Sequence, residues 1–171
     1  MKRILALAIS LLCFVIGLKA QNQVFAKFKI VDEKGELLKD CEVILYQRND
    51  IAFHKEEAKA KVKLYMDLEN YYTIEVKKKG YATKRIAFDT RLNNEPLDRN
   101  VFDFYVEMPG IHQYEGLANS EDVLDYPITV IQYNEKKELF DYNTDYTNHS
   151  VAAVRELKRQ VFIAHSAAEL E

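Results

Sequence analysis

The chain has 171 residues, with 24 lysines and arginines against 27 aspartates and glutamates, two cysteines and no tryptophan. If residues 1–20 leave as an export signal, Lys2, Arg3 and Lys19 go with them, and 21 basic against 27 acidic side chains give a formal charge of −6. A mildly acidic chain argues against nucleic acid as the main partner, and the length suffices for one domain with its own core.

The opening residues Met1-Lys2-Arg3, the apolar run Ile4 to Gly17 and the end Leu18-Lys19-Ala20 follow the basic, apolar, small-residue order of a cleavable signal. The run is shorter than the roughly 18 to 20 residues that cross a bilayer as a helix, so no membrane span is expected after cleavage. Cys13 sits inside the run between Leu12 and Phe14, the wrong place for lipid attachment. Cleavage leaves Cys41 as the single thiol, and the fold must hold without an internal disulfide.

From Val24 the pattern alternates, with Val24, Ala26, Phe28 and Ile30 on one face and Phe25, Lys27, Lys29 and Val31 on the other, a half-buried strand. Asp32-Glu33-Lys34-Gly35 is a turn, and Glu42 to Tyr46 the next strand. Asn49 to Lys59 is polar and has neither glycine nor proline, so it is expected as a longer connection or a short helical turn. Val62, Leu64, Met66 and Leu68 alternate with Lys61, Lys63, Tyr65 and Asp67; Glu69-Asn70 then turns into Tyr72, Ile74 and Val76, and the two runs are expected to pair as a hairpin. Thr83 to Asp89 resumes with Ile86 and Phe88 inward. A polar loop around Pro96 follows. Phe102, Phe104, Val106 and Met108 make the clearest strand, expected near the centre of the core. Ile111 to Tyr126 is irregular and acidic, and Ile128 to Tyr133 is a last strand. The tail from Asn148 or Ser150 reads as a helix, with Val151, Val154, Leu157, Val161 and Ala164 as its apolar stripe.

About seven short strands without a linker favour a mainly β sandwich. The expected organisation is a signal at 1–20, a β-sandwich domain with an extension at 21–147 and a C-terminal helix at 148–171.

The stretch Phe28 to Val43, a strand, an Asp32-x-x-Gly35 turn and the run Leu37 to Val43 into strand two, resembles the first hairpin of carboxypeptidase-regulatory-like domains, a transthyretin-like β-sandwich group. Tyr72-Thr73-Ile74-Glu75-Val76-Lys77-Lys78-Lys79-Gly80-Tyr81 is similar to that family's strand ending. The chain departs from the family pattern between Gln47 and Val62. The resemblance implies a transthyretin-like antiparallel sandwich acting as a binding or spacer module without an active site, as in exported proteins of Gram-negative envelopes. Phe102 to Tyr146 resembles extensions of such modules in envelope and secretion-machinery accessory proteins.

His54-x-x-Glu57 has the spacing of two zinc ligands, but a catalytic zinc needs a third ligand, a general base and a large scaffold. His112, His149 and His165 have no sequence-local partner, and the loop acids Glu115, Glu121, Asp122 and Asp125 lack the order of a calcium loop. Lys77, Lys78, Lys79, Lys84 and Arg85 bracket one turn, a basic patch or an ordinary solvated face. No phosphate loop or nucleophile elbow is present, and the acidic neighbours of Cys41 oppose a thiolate. Neither cofactor nor catalytic residue is expected.

The eleven tyrosines exceed the needs of a core. Tyr65, Tyr105 and Tyr133, with the helix residues Val154, Leu157 and Val161, are the candidate interface. The expectation is an exported, non-enzymatic adaptor that binds an envelope protein, as an accessory component of an envelope or secretion assembly. The alternatives are a carbohydrate-binding module that stacks glycans on tyrosine and a small zinc hydrolase built on His54 and Glu57.

Overall fold

The computed structural model describes residues 23–92, 101–114 and 124–168. The signal with Cys13, the loop around Pro96, the acids Glu115, Glu121 and Asp122, and the side chains of Val161, Ala164 and His165 lie outside the described residues.

Alternation of apolar and polar residues sets the first strand, β1 (Gln23–Asp32), whose Val24, Ala26, Phe28 and Ile30 are buried. The strand stops where the Asp32 carboxylate accepts the Lys34 and Glu36 amides at 2.9 and 2.8 Å, and Gly35 takes φ +80°. After that turn the chain changes layer. β2 (Cys41–Gln47) joins a different sheet from β1, so the expected first hairpin is instead a crossover.

The stretch expected to be a loop or helical turn is β3 (Asp50–Ala58), antiparallel to β2. The two-residue turn Arg48-Asn49 is made without glycine because Arg48 itself adopts φ +57°. Every residue of β3 except Ala58 is exposed, so the polar composition reflects an uncovered edge strand.

β4 (Lys61–Asp67) and β5 (Tyr71–Lys77) have the expected alternation but do not pair with each other. β4 lies beside β1, and β5 lies between β2 and β6 (Lys84–Asp89). The connection is fastened by Thr90, which is fully buried: its hydroxyl lies 2.8 Å from the Asp67 carbonyl and accepts the Asn70 amide at 3.0 Å. Glu69 in that connection adopts φ +62°.

β7 (Val101–Met108) runs parallel to β1 at an edge of the small sheet, ordered β4-β1-β7. Its inward Phe104, Val106 and Met108 are nevertheless buried, with Phe104 stacked on Phe28 at 5.1 Å between centroids. A single 3-10 turn, Ile111–Tyr114, follows. β8 (Thr129–Asn134) runs parallel to β6, and β9 (Leu139–Tyr142), too short to show an alternation of its own, closes on β8 as a hairpin.

The described residues thus form a mainly β sandwich of nine strands, in which the second sheet is ordered β3-β2-β5-β6-β8-β9. One apolar cluster spans the two sheets, from Val24, Leu64 and Phe104 to Leu45, Ile74 and Phe88. The helix α1 (Thr144–Ala168) starts earlier than its apolar stripe predicts. Asn143 caps it, its side-chain oxygen accepting the Tyr146 amide at 3.0 Å. A second, small core forms where Leu157 meets Ala82, Tyr114 and Leu124. No helix among the described residues is long and apolar enough to cross a membrane.

Candidate functional site

Pleating aims the polar members of β1, β4 and β7 away from the sandwich, and their pairing sets these side chains in rows. Phe25 lies between Tyr65 and Val101, Lys27 between Lys63 and Asp103, and Lys29 between Lys61 and Tyr105. Tyr65 and Tyr105 are 56% and 64% exposed, too much for residues that only seal an edge.

These side chains hold one another in place. The Phe25 and Tyr65 rings meet edge to face at 4.8 Å, and the Lys63 ammonium lies 4.5 Å from the first ring centroid and 4.8 Å from the second. On the other side of the face, Lys29 donates to the Tyr105 hydroxyl at 3.2 Å and sits 5.1 Å from the centre of that ring. A shallow depression of about 440 Å³ opens beside Tyr105, walled by Lys27, Lys29, Lys61, Lys63, Asp103 and Tyr105, and the Phe25–Tyr65 pair lies in the row next to Lys27 and Lys63. Four ammonium groups and three exposed or half-exposed rings in one face suit an anionic, partly apolar ligand surface.

The other sequence candidates go elsewhere. Tyr133 is half-buried on the second sheet, its ring packed edge to face on Phe140 at 5.8 Å, and does not join Tyr65 and Tyr105. Leu157 is buried on its own domain, so the helix stripe is spent at home there, whereas Val154 is half-buried and lines a groove between α1 and the body. The position Val161 lies on α1.

The basic cluster bracketing Gly80 is largely consumed by internal contacts. Lys77 and Arg85 both close on the buried Glu75, at 2.7 and 2.6 Å, Arg85 also holds Asp125 at 2.7 Å, and Lys78 donates to the Lys39 carbonyl at 2.7 Å. Burial pushes the Glu75 carboxyl up, but the hydrogen bonds and charges of Lys77 and Arg85 outweigh it and hold the group below its ordinary value. His54 meets Glu42 across the β2–β3 pair at 2.9 Å, rather than joining a metal-ligand set with Glu57, and no group of three or more metal-capable side chains occurs among the described residues. Cys41 is buried; burial chiefly pushes its thiol up, Lys78 opposes this and Asp40 adds to it.

No protein-family model matches the chain, and no curated protein does. Among solved structures, it is similar to S.CueP at 14% identity over 52% of this chain and 64% of that one, with a TM-score of 0.39. It is similar to 3-chlorocatechol 1,2-dioxygenase from Rhodococcus opacus 1CP at 8% identity, over 53% of this chain and 61% of the enzyme, with a TM-score of 0.38. The TIE protein of Bacillus anthracis matches at 15% identity over 52% of this chain and 17% of its own, with a TM-score of 0.35. The chain therefore spans less than two thirds of the length of each, and likenesses this distant carry no argument about activity or ligand.

Sequence reasoning missed Phe25 and the lysines of β1 and β4 as members of the site. Their signal was present in the alternation Phe25-x-Lys27-x-Lys29 and Lys61-x-Lys63-x-Tyr65. What joins the two runs is the β1–β4 pairing, which sets residues 32 to 40 positions apart side by side.

Proposed function

We propose that the chain is an exported, non-enzymatic binding module that holds an acidic segment of an envelope protein on the outer face of its three-stranded sheet. The carrying observation is the pair of exposed tyrosines, each held by a lysine, on the same face as a depression walled by four lysines. Aromatic rings supply contact area at low entropic cost, and the ammonium groups steer an acidic partner and fix its register. The order of the first twenty residues and the resemblance of Phe28 to Tyr81 to carboxypeptidase-regulatory-like domains support an extracytoplasmic, accessory role.

The test is capture from the native envelope after mild cross-linking, with the wild type beside Tyr65→Ala/Tyr105→Ala and Lys27→Glu/Lys63→Glu. One dominant protein held by the wild type, released as salt rises and lost by both variants is the expected result. Retention by both variants would move the interface elsewhere. A glycan bound through Tyr65 and Tyr105, with no protein captured, would replace the adaptor by a carbohydrate-binding module.

A further inference from the structure

Beneath the N-terminal half of α1, against the start of β6 and the approach to β8, lies a second concavity of about 370 Å³. It is remote in character from the lysine face. Its walls are largely apolar, formed by Leu124, Tyr126, Pro127, Ile128, Ala153 and Val154. The volume falls in the range of roughly 300 to 1,000 Å³ that takes small organic ligands.

Of the basic side chains lining the groove, Lys84, Arg85 and His149, we take Lys84 as the one that sets its chemistry. Alternation along β6 puts Lys84 on the same side as the buried Ile86 and Phe88, so it lies at the end of the sandwich interior rather than on the solvent face. It lines both this groove and the adjoining one between β7 and β8, past Val106 and Thr129. Its neighbours on the same sheet are neutralised, Lys77 by Glu75 and Arg85 by Glu75 and Asp125. No carboxylate among the described residues reaches Lys84 within ion-pair distance. Glu107 acts on it only from farther off, and Lys158 on α1 opposes that effect. Burial is the largest influence and holds the ammonium below its ordinary pKa.

We infer that this groove binds a free small amphipathic anion, its carboxylate on the Lys84 ammonium and its apolar body along Leu124, Ile128 and Val154. A half-buried cation without a partner is costly to keep, and an arriving carboxylate removes that cost while the apolar wall excludes water. An uncharged molecule of the same shape gains only the second term.

Octanoate and 1-octanol are the probes, titrated into the full mature protein and followed by backbone amide NMR. Octanoate is expected to shift Thr83, Lys84, Ile128 and Val154 and to bind at least about tenfold tighter than 1-octanol. Lys84→Met should bring octanoate down to the affinity of 1-octanol while leaving the fold intact, since it removes an unpaired charge. Lys84→Arg should restore octanoate binding, and Ala153→Phe should block both probes. Equal affinity of the two probes, or octanoate binding unchanged in Lys84→Met, overturns the inference. So do shifts confined to Lys27, Lys29, Lys61 and Lys63, which would place the anion on the sheet face; loss of partner capture by the tyrosine variants leaves the groove untouched.

Discussion

Glu75 is the side chain whose surroundings are most demanding. Only 5% exposed, it accepts from Lys77, Arg85 and, at 3.3 Å, the Tyr46 hydroxyl. Its carboxyl titrates below the ordinary 4.5 in the folded chain, so the associated stability is present above that value and is lost as pH falls through the lower folded value. Glu75→Gln should therefore lower stability by about 2 kcal/mol at neutral pH, less than for a fully buried pair because Lys77 and Arg85 are partly exposed and Arg85 keeps Asp125. Urea titrations at several pH values check this, and the gap to the wild type should shrink in acid below 4.5. Tyr114 poses the opposite case. Its hydroxyl is buried without a hydrogen-bond partner among the described residues, and burial pushes its pKa up to about 12. Tyr114→Phe deletes an unsatisfied group and keeps the ring against Leu157, so thermal unfolding should show a gain of about 1 kcal/mol.

Among the elements, α1 is held less firmly than any strand of the sandwich. It is capped by Asn143, tied by the Tyr146 hydroxyl to the Pro127 carbonyl at 2.8 Å, and buries Leu157 in a core of few residues. Farther along, Phe162 is 73% exposed and Ile163 52%. Leu157→Ala removes the one buried apolar anchor of the helix among the described residues and should cost about 2–3 kcal/mol. Hydrogen exchange is the measurement that places the loss: the amides of α1 should exchange faster, while those of β1, β2 and β5 keep their protection. At the other end of the sheet order, β3 is a nine-residue edge with two bulges against β2, an irregularity that blunts pairing with another chain.

At the scale of the molecule, burial and exposure divide two kinds of work. The apolar cluster shared by the two sheets supplies stability, while the outer face of β4-β1-β7 carries rings and charges that the core does not use. Tyr65→Ala/Tyr105→Ala should accordingly change unfolding free energy by less than about 1 kcal/mol, the worth of exposed ring and cation contacts, as read by denaturant titration. A much larger loss would mean that these tyrosines brace the sheet rather than present a surface.

The sequence alone determined the alternating strands, the buried residues of β1, β4 and β6, the turn at Asp32 to Gly35 and a C-terminal helix. These are local: a period of two or 3.6 shows in consecutive residues, and a turn in its glycine. It also marked Tyr65 and Tyr105, because large rings on polar strand faces stand out. Only tertiary structure decided which strand lies beside which. The turn at Glu69-Asn70 looks the same in sequence whether it folds β4 onto β5 or carries the chain across layers; Thr90, twenty residues away, fixes the second outcome. The same non-local pairing set Phe25 beside Tyr65 and Lys29 beside Tyr105, and it left Leu157 buried on its own domain. Hydrophobic periodicity reports which face of an element is buried, and it carries no information on what buries it.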